Sequence, residues 1–221
     1  MTAARKRVLI TAGPTHERID DVRYLANRSS GRMGIALAEA ASQIGCEVTL
    51  LLGPVSAEPR RPDSGSKPIR LERFESTADL ERLLQEHFDY CDLLIMAAAV
   101  ADYRPAAGAS GKLPRKREKV TLELEPTPDL VATCAARRRP DQRIIAFALE
   151  ESSRLHDRAI EKMRAKRVDA IVANPLETMG SRLVSAVIHT ADGRTFKPEI
   201  PTLDKSAFAA WLIRWTLTQL G

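Results

Sequence analysis

An α/β fold with a mostly parallel central sheet is the architecture that this sequence predicts. Apolar runs that are too short for helices recur along the chain, and glycine, proline or asparagine follows or ends several of them. Segments with helical spacing of apolar residues alternate with these runs. The 221 residues are 44% apolar, which is enough for a substantial core. We therefore predict a Rossmann-like, three-layer fold in one domain over residues 1–221, with a basic flap at about 106–124 and a C-terminal hairpin.

The first strand is predicted at residues 8–12, where an apolar run ends at Gly13-Pro14. The carboxyl end of such a strand is where open α/β sheets bind ligands. A helix is predicted over residues 34–45, with Gly45 as its C-terminal stop. The small residues 29–31 precede this helix, and their hydroxyl and backbone N–H groups suit a phosphate.

A long polar loop separates this strand from the helix. It runs from Pro14 to about Ser30, so the glycines at 31 and 34 do not form the dinucleotide fingerprint, which requires a tight turn. Both glycines also fit a purely structural purpose, the close packing of helix on sheet. Charged side chains crowd the loop, and long loops in compact domains are commonly functional or disordered. The composition of the loop favours a functional one.

The remaining elements continue the alternation. A second strand at 46–55 completes a right-handed β-α-β unit, and an exposed Pro-rich connection follows. The later predicted elements, in order, are a strand at 69–74, a helix capped by Ser76 or Thr77, a core strand and its end over 92–105, a flap with an alternating strand at 120–125, a helix after Leu130, a strand at 143–150, a helix at 159–169, a strand at 170–175, a hairpin within 183–200 that turns at 191–194, and a helix from about Lys205.

Composition excludes several classes of protein. The longest apolar run, residues 93–101, is far shorter than the roughly 20 residues of a membrane span. The net charge of +5 favours acidic partners, but only 5% of the residues are aromatic and none interleave with the basic clusters, which argues against nucleic acid. Three isolated cysteines and four scattered histidines indicate reduced core thiols and no structural zinc. We expect a cytoplasmic protein.

Three segments carry a resemblance to a known family. Residues 11–15 (TAGPT), 21–27 (DVRYLAN) and 29–34 (SSGRMG) resemble phosphopantothenoylcysteine synthetase, the ligase of coenzyme A biosynthesis that is often the C-terminal half of a bifunctional flavoprotein. Residues 102–105 (DYRP) and 125–130 (EPTPDL) fit the same family. By motif and element order the resemblance covers roughly residues 7 to 220.

The resemblance implies a role for each matching residue. As catalytic residues it implies Asn27, which would contact the acyl oxygen, and Lys112 of the flap, which would contact the nucleotide phosphates and the activated carboxyl. Pro114 and Arg115 stand where many members carry lysines, which leaves the roles of Arg115 and Lys116 open. The implied substrate-binding residues are Arg23, Ser29, Ser30, Gly31, Met33, Gly34 and Ala98, and the implied nucleotide-binding residues are Gly13, Pro14, Thr15, Asp102, Lys112, Phe147, Lys162, Lys166 and Asn174.

The implied reaction joins 4′-phosphopantothenate to L-cysteine through an acyl-nucleotide. The resemblance favours CTP over ATP, and the triphosphate implies Mg²⁺ bound through its phosphates. It also implies a homodimer. Because Met1 lies six residues before the first strand region, a flavin-dependent decarboxylase is expected either as a separate protein or outside this sequence. Two alternatives remain open at this point: a Rossmann-like nucleotide- or flavin-binding oxidoreductase, and a non-catalytic sensor of a phosphorylated ligand.

Overall fold

A computed structural model of the chain describes residues 6–60, 66–108, 110–115 and 119–220. The helices among these residues are α1 (Arg32–Gln43), α2 (Thr77–His87), α3 (Leu130–Ala136), α4 (Leu155–Lys166) and α5 (Lys205–Gln219). The strands are β1 (Arg7–Ala12), β2 (His16–Arg18), β3 (Tyr24–Ala26), β4 (Glu47–Leu52), β5 (Ile69–Arg73), β6 (Leu93–Met96), β7 (Tyr103–Pro105), β8 (Leu124–Pro126), β9 (Arg143–Glu150), β10 (Ala170–Pro175), β11 (Leu183–Val184), β12 (Val187–Thr190), β13 (Thr195–Phe196) and β14 (Leu203–Asp204).

Eight of these strands form the central sheet, in the order β13-β12-β10-β9-β6-β1-β4-β5. The six from β10 to β5 run parallel, whereas β12 pairs antiparallel with β10 and β13 pairs antiparallel with β12. This confirms the predicted α/β class with a mostly parallel sheet. The chain passes from β1 to β4 on one side and returns to β6 on the other. The order therefore reverses beside β1, and such a reversal opens a crevice at the carboxyl ends of the strands.

Helices cover both faces of the sheet and make the predicted three layers. Val8 and Ile10 of β1 face a core that includes α1 and α5, and Leu9 faces a second core formed with α2, α3 and α4. Because both faces of β1 are buried, its sequence is a continuous apolar run and not an alternating one. The predicted caps are also present: Ser76 and Asp79 form a capping box at α2, and Gly45, with φ of +87°, follows α1.

Several predicted boundaries were wrong. The core strand expected over 92–105 ends at Met96, and beyond it the segment keeps only an isolated parallel bridge between Ala99 and Pro14. The alternating pattern at 120–125 forms a strand only from Leu124, where β7 supplies a partner. The second strand stops at Leu52, before Gly53-Pro54, and the helix predicted to start at 159 begins at Leu155.

Two hairpins, one in the polar loop after β1 and one near the C-terminus, differ from expectation in different ways. The polar loop after β1 contains a hairpin of β2 and β3, which the sequence analysis did not predict. The C-terminal hairpin of β12 and β13 is confirmed, with its turn at 191–194, but β11 pairs with β14 in a separate ladder. Across the residues described, the helices lack the length and apolar character that crossing a bilayer requires.

Candidate active site

A cleft of about 870 Å³ lies at the carboxyl edge of the sheet, beside β6, β9 and β10. The start of α1 and the loop before it form one wall, and α4 contributes to another. Residues 97–101, which follow β6, line the cleft between these walls. The cleft therefore occupies the crevice that the reversal of strand order predicts. Ligand-binding clefts commonly have volumes of about 300–1,000 Å³.

The N-terminus of α1 forms the wall that the sequence analysis assigned to the acyl substrate. Ser29, Ser30, Gly31, Met33 and Gly34 all line the cleft, as does Asn27 just before them. Gly31 is the N-cap residue and has a φ of +68°, a conformation that favours glycine. The first N–H groups of a helix lack intrahelical partners, so this wall is suited to an anion.

Gly34 has a packing role in addition to its place in the cleft. A Cβ atom at this position would collide with Cβ of Ala12 and would lie 3.0 Å from the carbonyl oxygen of Thr11. Only glycine lets α1 approach β1 this closely without a shift. Gly34 therefore lines the cleft and also allows the close packing of α1 on β1.

Residues 97–101 are held by hydrogen bonds from two neighbouring segments. The N–H of Ala98 donates to Oγ1 of Thr11 at 3.1 Å, and the N–H of Ala99 donates to the carbonyl of Gly13 at 2.8 Å. On the other side, Nδ2 of Asn27 donates to the carbonyl of Val100 at 2.8 Å. These bonds orient Asn27 and Ala98, two predicted site residues, against the same backbone.

The structure places three predicted nucleotide-binding residues behind this segment. Gly13, Pro14 and Thr15 are buried and are not among the residues that line the cleft. Thr15 accepts a hydrogen bond from the N–H of Ala101 at 3.0 Å, and its hydroxyl is bonded to that of Thr77 at 3.2 Å. In this structure they support the segment that lines the cleft.

The opposite wall brings together most of the other predicted nucleotide-binding residues. Phe147, Lys162, Lys166, Asp102 and Asn174 all line the cleft. The two lysines lie one turn apart on α4, as their spacing predicts. Oδ1 of Asn174 is buried without a hydrogen-bond partner, which leaves an acceptor for a donor from a ligand.

Each of the two lysines is already paired with a carboxylate. Nζ of Lys162 lies 2.5 Å from Oε1 of Glu150, and Nζ of Lys166 lies 2.6 Å from Oδ2 of Asp129. Asp129 also caps α3 by accepting the N–H of Ala132. Burial alone would raise the pKa of Asp129, but these hydrogen bonds and the Lys166 charge lower it overall. A polyanion that bound the two lysines at this wall would therefore have to displace Glu150 and Asp129 from them.

The base of the flap is attached to the polar loop and does not enter the cleft. The buried Asp20 pairs with Arg23 and accepts the N–H of Leu113 at 3.1 Å, while Arg23 donates to the carbonyl of Leu113 at 3.0 Å. These contacts hold the pKa of Asp20 well below its usual range. Lys112, which directly precedes Leu113, is exposed and does not line the cleft. Lys116 lies outside the described residues.

Three cationic residues of the cleft were missed by the sequence analysis. Arg28, Arg32 and Lys205 all line it, the last two as the first residues of α1 and α5. Lys205 stands at the predicted start of the last helix and looks like an ordinary surface lysine in the sequence. Only the packing of α5 beside α1 brings it to the site, so no local signal could have identified it.

Outside the cleft, one group of side chains in the described residues has the composition of a metal site. Ligand atoms of Glu72, Glu86 and His87 lie within 4.8 Å of one another. Arg70 pairs with Glu72 at 2.7 Å and Arg82 pairs with Glu86 at 2.8 Å, so both carboxylates already have cationic partners. This group is an ion-pair network on the surface.

Comparison with known proteins identifies the family. Residues 3–219 match the model of the DNA/pantothenate metabolism flavoprotein C-terminal domain. The chain belongs to this family. A crystal structure of the C-terminal domain of the coenzyme A biosynthesis bifunctional protein CoaBC is similar to this domain, with a TM-score of 0.79 and 34% identity over 97% of this chain and 95% of that one. The resemblance drawn from the motifs at 11–15, 21–27 and 29–34 is confirmed.

Two relatives show how much of a longer protein this domain matches. CoaBC of Bacillus subtilis (strain 168) is 36% identical over 204 residues, which are 90% of this chain and 48% of that protein. A cysteine/cysteine sulfinic acid decarboxylase from an unknown prokaryotic organism is 41% identical over 176 residues, 80% of this chain and 47% of that protein. The chain spans about half the length of these relatives.

Proposed function

We propose that this domain is a phosphopantothenate–cysteine ligase of coenzyme A biosynthesis. The observation that carries the proposal is the pairing of two walls in one cleft of a member of this family. One wall, at the start of α1, is suited to an anionic acyl substrate, and the other presents Phe147 with Lys162 and Lys166 for a nucleotide. An amide ligase has to bring these two substrates together.

The chemistry begins with activation, because a carboxylate is a poor electrophile in water. The carboxylate oxygen of 4′-phosphopantothenate attacks the α-phosphorus of CTP, and pyrophosphate leaves. The amine of cysteine then attacks the acyl carbon, the acyl C–O bond breaks, CMP leaves and the amine loses a proton. Positioning and charge neutralisation supply most of the rate in reactions of this kind.

The nucleotide wall supplies the first set of roles. Phe147 packs against the base, and Lys162 and Lys166 leave Glu150 and Asp129 for the phosphates. Asn174 offers its unpartnered Oδ1 to an amino or hydroxyl group of the nucleotide. We propose CTP as the co-substrate, with ATP as the less favoured choice.

Asn27 and Lys112 are the proposed catalytic residues. Asn27 is exposed at the cleft, and its amide is oriented by Val100, so it can donate to the oxygen of the acyl-cytidylate without acting as a nucleophile. Lys112 reaches the α-phosphate when the flap folds over the cleft. We expect Asn27→Asp to release pyrophosphate but to convert the intermediate slowly, and Lys112→Gln to bind CTP but to form little intermediate.

Mg²⁺ is part of the proposal because the co-substrate is a triphosphate. Asp102 is an exposed carboxylate that lines the cleft, and it has no ion pair in the part of the chain described, so its oxygens fit a hard cation. Asp102 would hold the ion together with the phosphates. The ion would supply charge neutralisation there.

We also propose a two-fold homodimer. The supporting observation is a set of exposed apolar side chains on the small hairpins: Tyr24 on β3 is 53% exposed, Tyr103 on β7 is 56% exposed and Leu124 on β8 is 47% exposed. Exposed strand edges and apolar side chains invite pairing with another chain. Light scattering that finds an active monomer at assay concentration contradicts this. We further propose a cytoplasmic location and a flavin-dependent decarboxylase as the enzyme that consumes the product.

A single assay tests the central proposal. The wild-type chain is incubated with CTP, Mg²⁺, 4′-phosphopantothenate and cysteine, and both pyrophosphate and the amide product are measured. We expect pyrophosphate release that depends on 4′-phosphopantothenate, and product only when cysteine is present. Binding of the substrates without turnover indicates a sensor, and a nicotinamide- or flavin-dependent absorbance change indicates an oxidoreductase. Either result contradicts the proposal.

A further inference from the structure

Glu17 is a buried carboxylate outside the cleft. It is the middle residue of β2 and is 4% exposed, whereas the adjacent Arg18 is exposed. In the part of the chain described, no side-chain nitrogen of a lysine, arginine or histidine lies within 4.0 Å of its oxygens. Acidic side chains are almost never fully buried unless they are paired, because burial of a charge costs free energy. The groups that do contact Glu17 therefore indicate its role.

Thr77, the first residue of α2, donates two hydrogen bonds to Glu17. Oε1 of Glu17 accepts the backbone N–H of Thr77 at 2.9 Å and its hydroxyl at 2.6 Å. Ser76 and Asp79 already form a capping box at this helix start, so α2 is capped without Glu17. Capping by Glu17 would in any case need only the N–H of Thr77. The contact with the hydroxyl requires a separate explanation.

The hydroxyl of Thr77 also leads toward the cleft. Its Oγ1 lies 3.2 Å from Oγ1 of the buried Thr15, which accepts the N–H of Ala101 at 3.0 Å. A threonine hydroxyl has one proton, and a carboxylate can only accept. Thr77 therefore donates its proton to Glu17, and Thr15 donates its own to Thr77. A lone pair of Thr15 then faces the N–H of Ala101, so the carboxylate sets the direction of every bond in this chain.

The far end of this chain of hydrogen bonds belongs to the site. Ala101 and Asp102 line the cleft. The hydroxyl of Thr127 donates to the carbonyl of Ala101, and the N–H of Thr127 donates to the carbonyl of Asp102 at 3.0 Å. Thr127 thus holds the carbonyl side of this backbone, while Thr15 holds the N–H side. A weaker contact with Thr15 would let the backbone shift beside Asp102, and a displacement of about 1 Å in an active site can lower a rate by about 10²-fold.

We propose that Glu17 is a positioning residue of the ligase, which acts through Thr77 and Thr15 to hold the cleft-lining backbone at Ala101 and Asp102. This inference rests on the proposed ligase function. Hydrogen bonds that form a chain in a low-dielectric interior strengthen one another, so a charge at one end affects the bond at the other. Glu17 does not line the cleft, and it therefore acts on the reaction only through this chain.

The test compares Glu17→Met and Glu17→Gln with the wild-type enzyme. Glu17→Met has a similar length but no oxygen acceptor, and it should lower kcat for pyrophosphate release by about 10- to 100-fold. The KM for 4′-phosphopantothenate should stay the same. Glu17→Gln keeps an acceptor oxygen for Thr77 and should retain most of kcat. In the unliganded chain, the amide of Ala101 should exchange its hydrogen about tenfold faster in Glu17→Met than in the wild type.

Ser76→Ala is the matched control for a merely structural role. It removes the capping box of the same helix and should lower the melting temperature, but it leaves the hydrogen bonds from Glu17 to Ala101 in place. We expect it to keep the wild-type kcat and the slow exchange of Ala101 at a temperature where every variant is folded. If Glu17 only stabilised α2, Ser76→Ala and Glu17→Met would behave alike.

A second pair of variants interrupts the chain at its next member. Thr77→Val keeps the N–H that Glu17 accepts and loses the hydroxyl, so it should reproduce the effects of Glu17→Met, including where Glu17→Met does not fold. Thr77→Ser keeps the hydroxyl and should resemble the wild type. The double variant with Glu17→Met and Thr77→Val should lower kcat no further than either change alone, because both break the same chain. Independent structural defects would instead multiply.

A lower kcat together with faster exchange of Ala101, in Glu17→Met or Thr77→Val, supports the inference. An active wild-type enzyme whose variants keep kcat, or lose it without a change at Ala101, overturns the inference and leaves the proposed function intact. An equal loss of kcat in Ser76→Ala also overturns it. A wild-type chain that releases no pyrophosphate overturns the proposed function itself. The exchange of Ala101 is measured without ligand, so it tests the chain of hydrogen bonds separately from ligase activity.

Discussion

Substitution of Thr15 tests whether its buried hydroxyl beside the cleft supports the site or contacts the nucleotide. Its side chain has no exposure, and its Oγ1 accepts the N–H of Ala101 at 3.0 Å. Thr15→Val keeps the shape and removes the acceptor, so the N–H of Ala101 is left unpaired. A buried unpaired N–H costs about 1–3 kcal/mol, which for a domain of this size corresponds to a melting temperature lower by about 2–12 °C.

The assay for this prediction combines thermal melting with hydrogen exchange. The amide of Ala101 should exchange faster in Thr15→Val than in the wild type, because its acceptor is gone. Thr15→Ser is the matched control, since it keeps the hydroxyl and loses only a methyl group, and it should retain slow exchange. An unchanged melting temperature together with an unchanged exchange rate would refute the hydrogen-bond argument. An unchanged melting temperature with a higher KM for CTP alone would return Thr15 to the nucleotide contacts.

Three further predictions follow from packing and charge. Gly34→Ala should destabilise the domain by about 1–3 kcal/mol and raise the KM for 4′-phosphopantothenate, because the new Cβ displaces α1 from β1. Asp20→Asn should speed tryptic cleavage in the flap, because it removes the charge that pairs with Arg23. The pKa of Asp20 is lowered in the folded chain. The stabilising contribution of Asp20 is therefore present above about pH 4 and is lost as the pH falls below that value. Burial raises the pKa of Cys91 to about 12 and that of Cys134 to about 11, so neither thiol should react with a disulfide reagent at pH 8 in the native chain. For the same reason the free energy of unfolding should fall as the pH rises above the ordinary thiol pKa of 9.0, since only the unfolded thiols ionise there.

Each of these predictions has an outcome that would contradict it, and the first also has a control variant. Gly45→Ala places a Cβ in open space at a positive φ, so it should lower the melting temperature and leave the KM unchanged. An equal KM for the Gly34 and Gly45 variants would contradict the packing argument. Wild-type proteolysis rates in Asp20→Asn would show that the contacts to Leu113 do not restrain the flap. Rapid labelling of Cys91 in the native chain would contradict its burial.

The sequence by itself determined the fold class, the order of the main elements and the family. These follow from local chemistry: a run such as residues 8–12 is apolar throughout because both faces of its strand are buried, and Ser76 with Asp79 caps a helix wherever the chain lies. The motifs around Asn27 and Gly31 are contiguous in the sequence, so they can be identified without any tertiary information. Asn27, Ser29, Phe147 and Lys162 do line one cleft, as the family resemblance implied.

Tertiary structure alone decided what these residues meet. The alanine segment after β6 is held beside the chain that follows β1 because Thr11, Gly13 and Thr15 accept its N–H groups, and no local propensity reports such contacts. The pairing of Lys162 with Glu150 depends on how α4 packs against β9. Lys205 reaches the cleft only because α5 packs beside α1, and contacts between distant segments are set by packing and not by the neighbours of each residue in the chain.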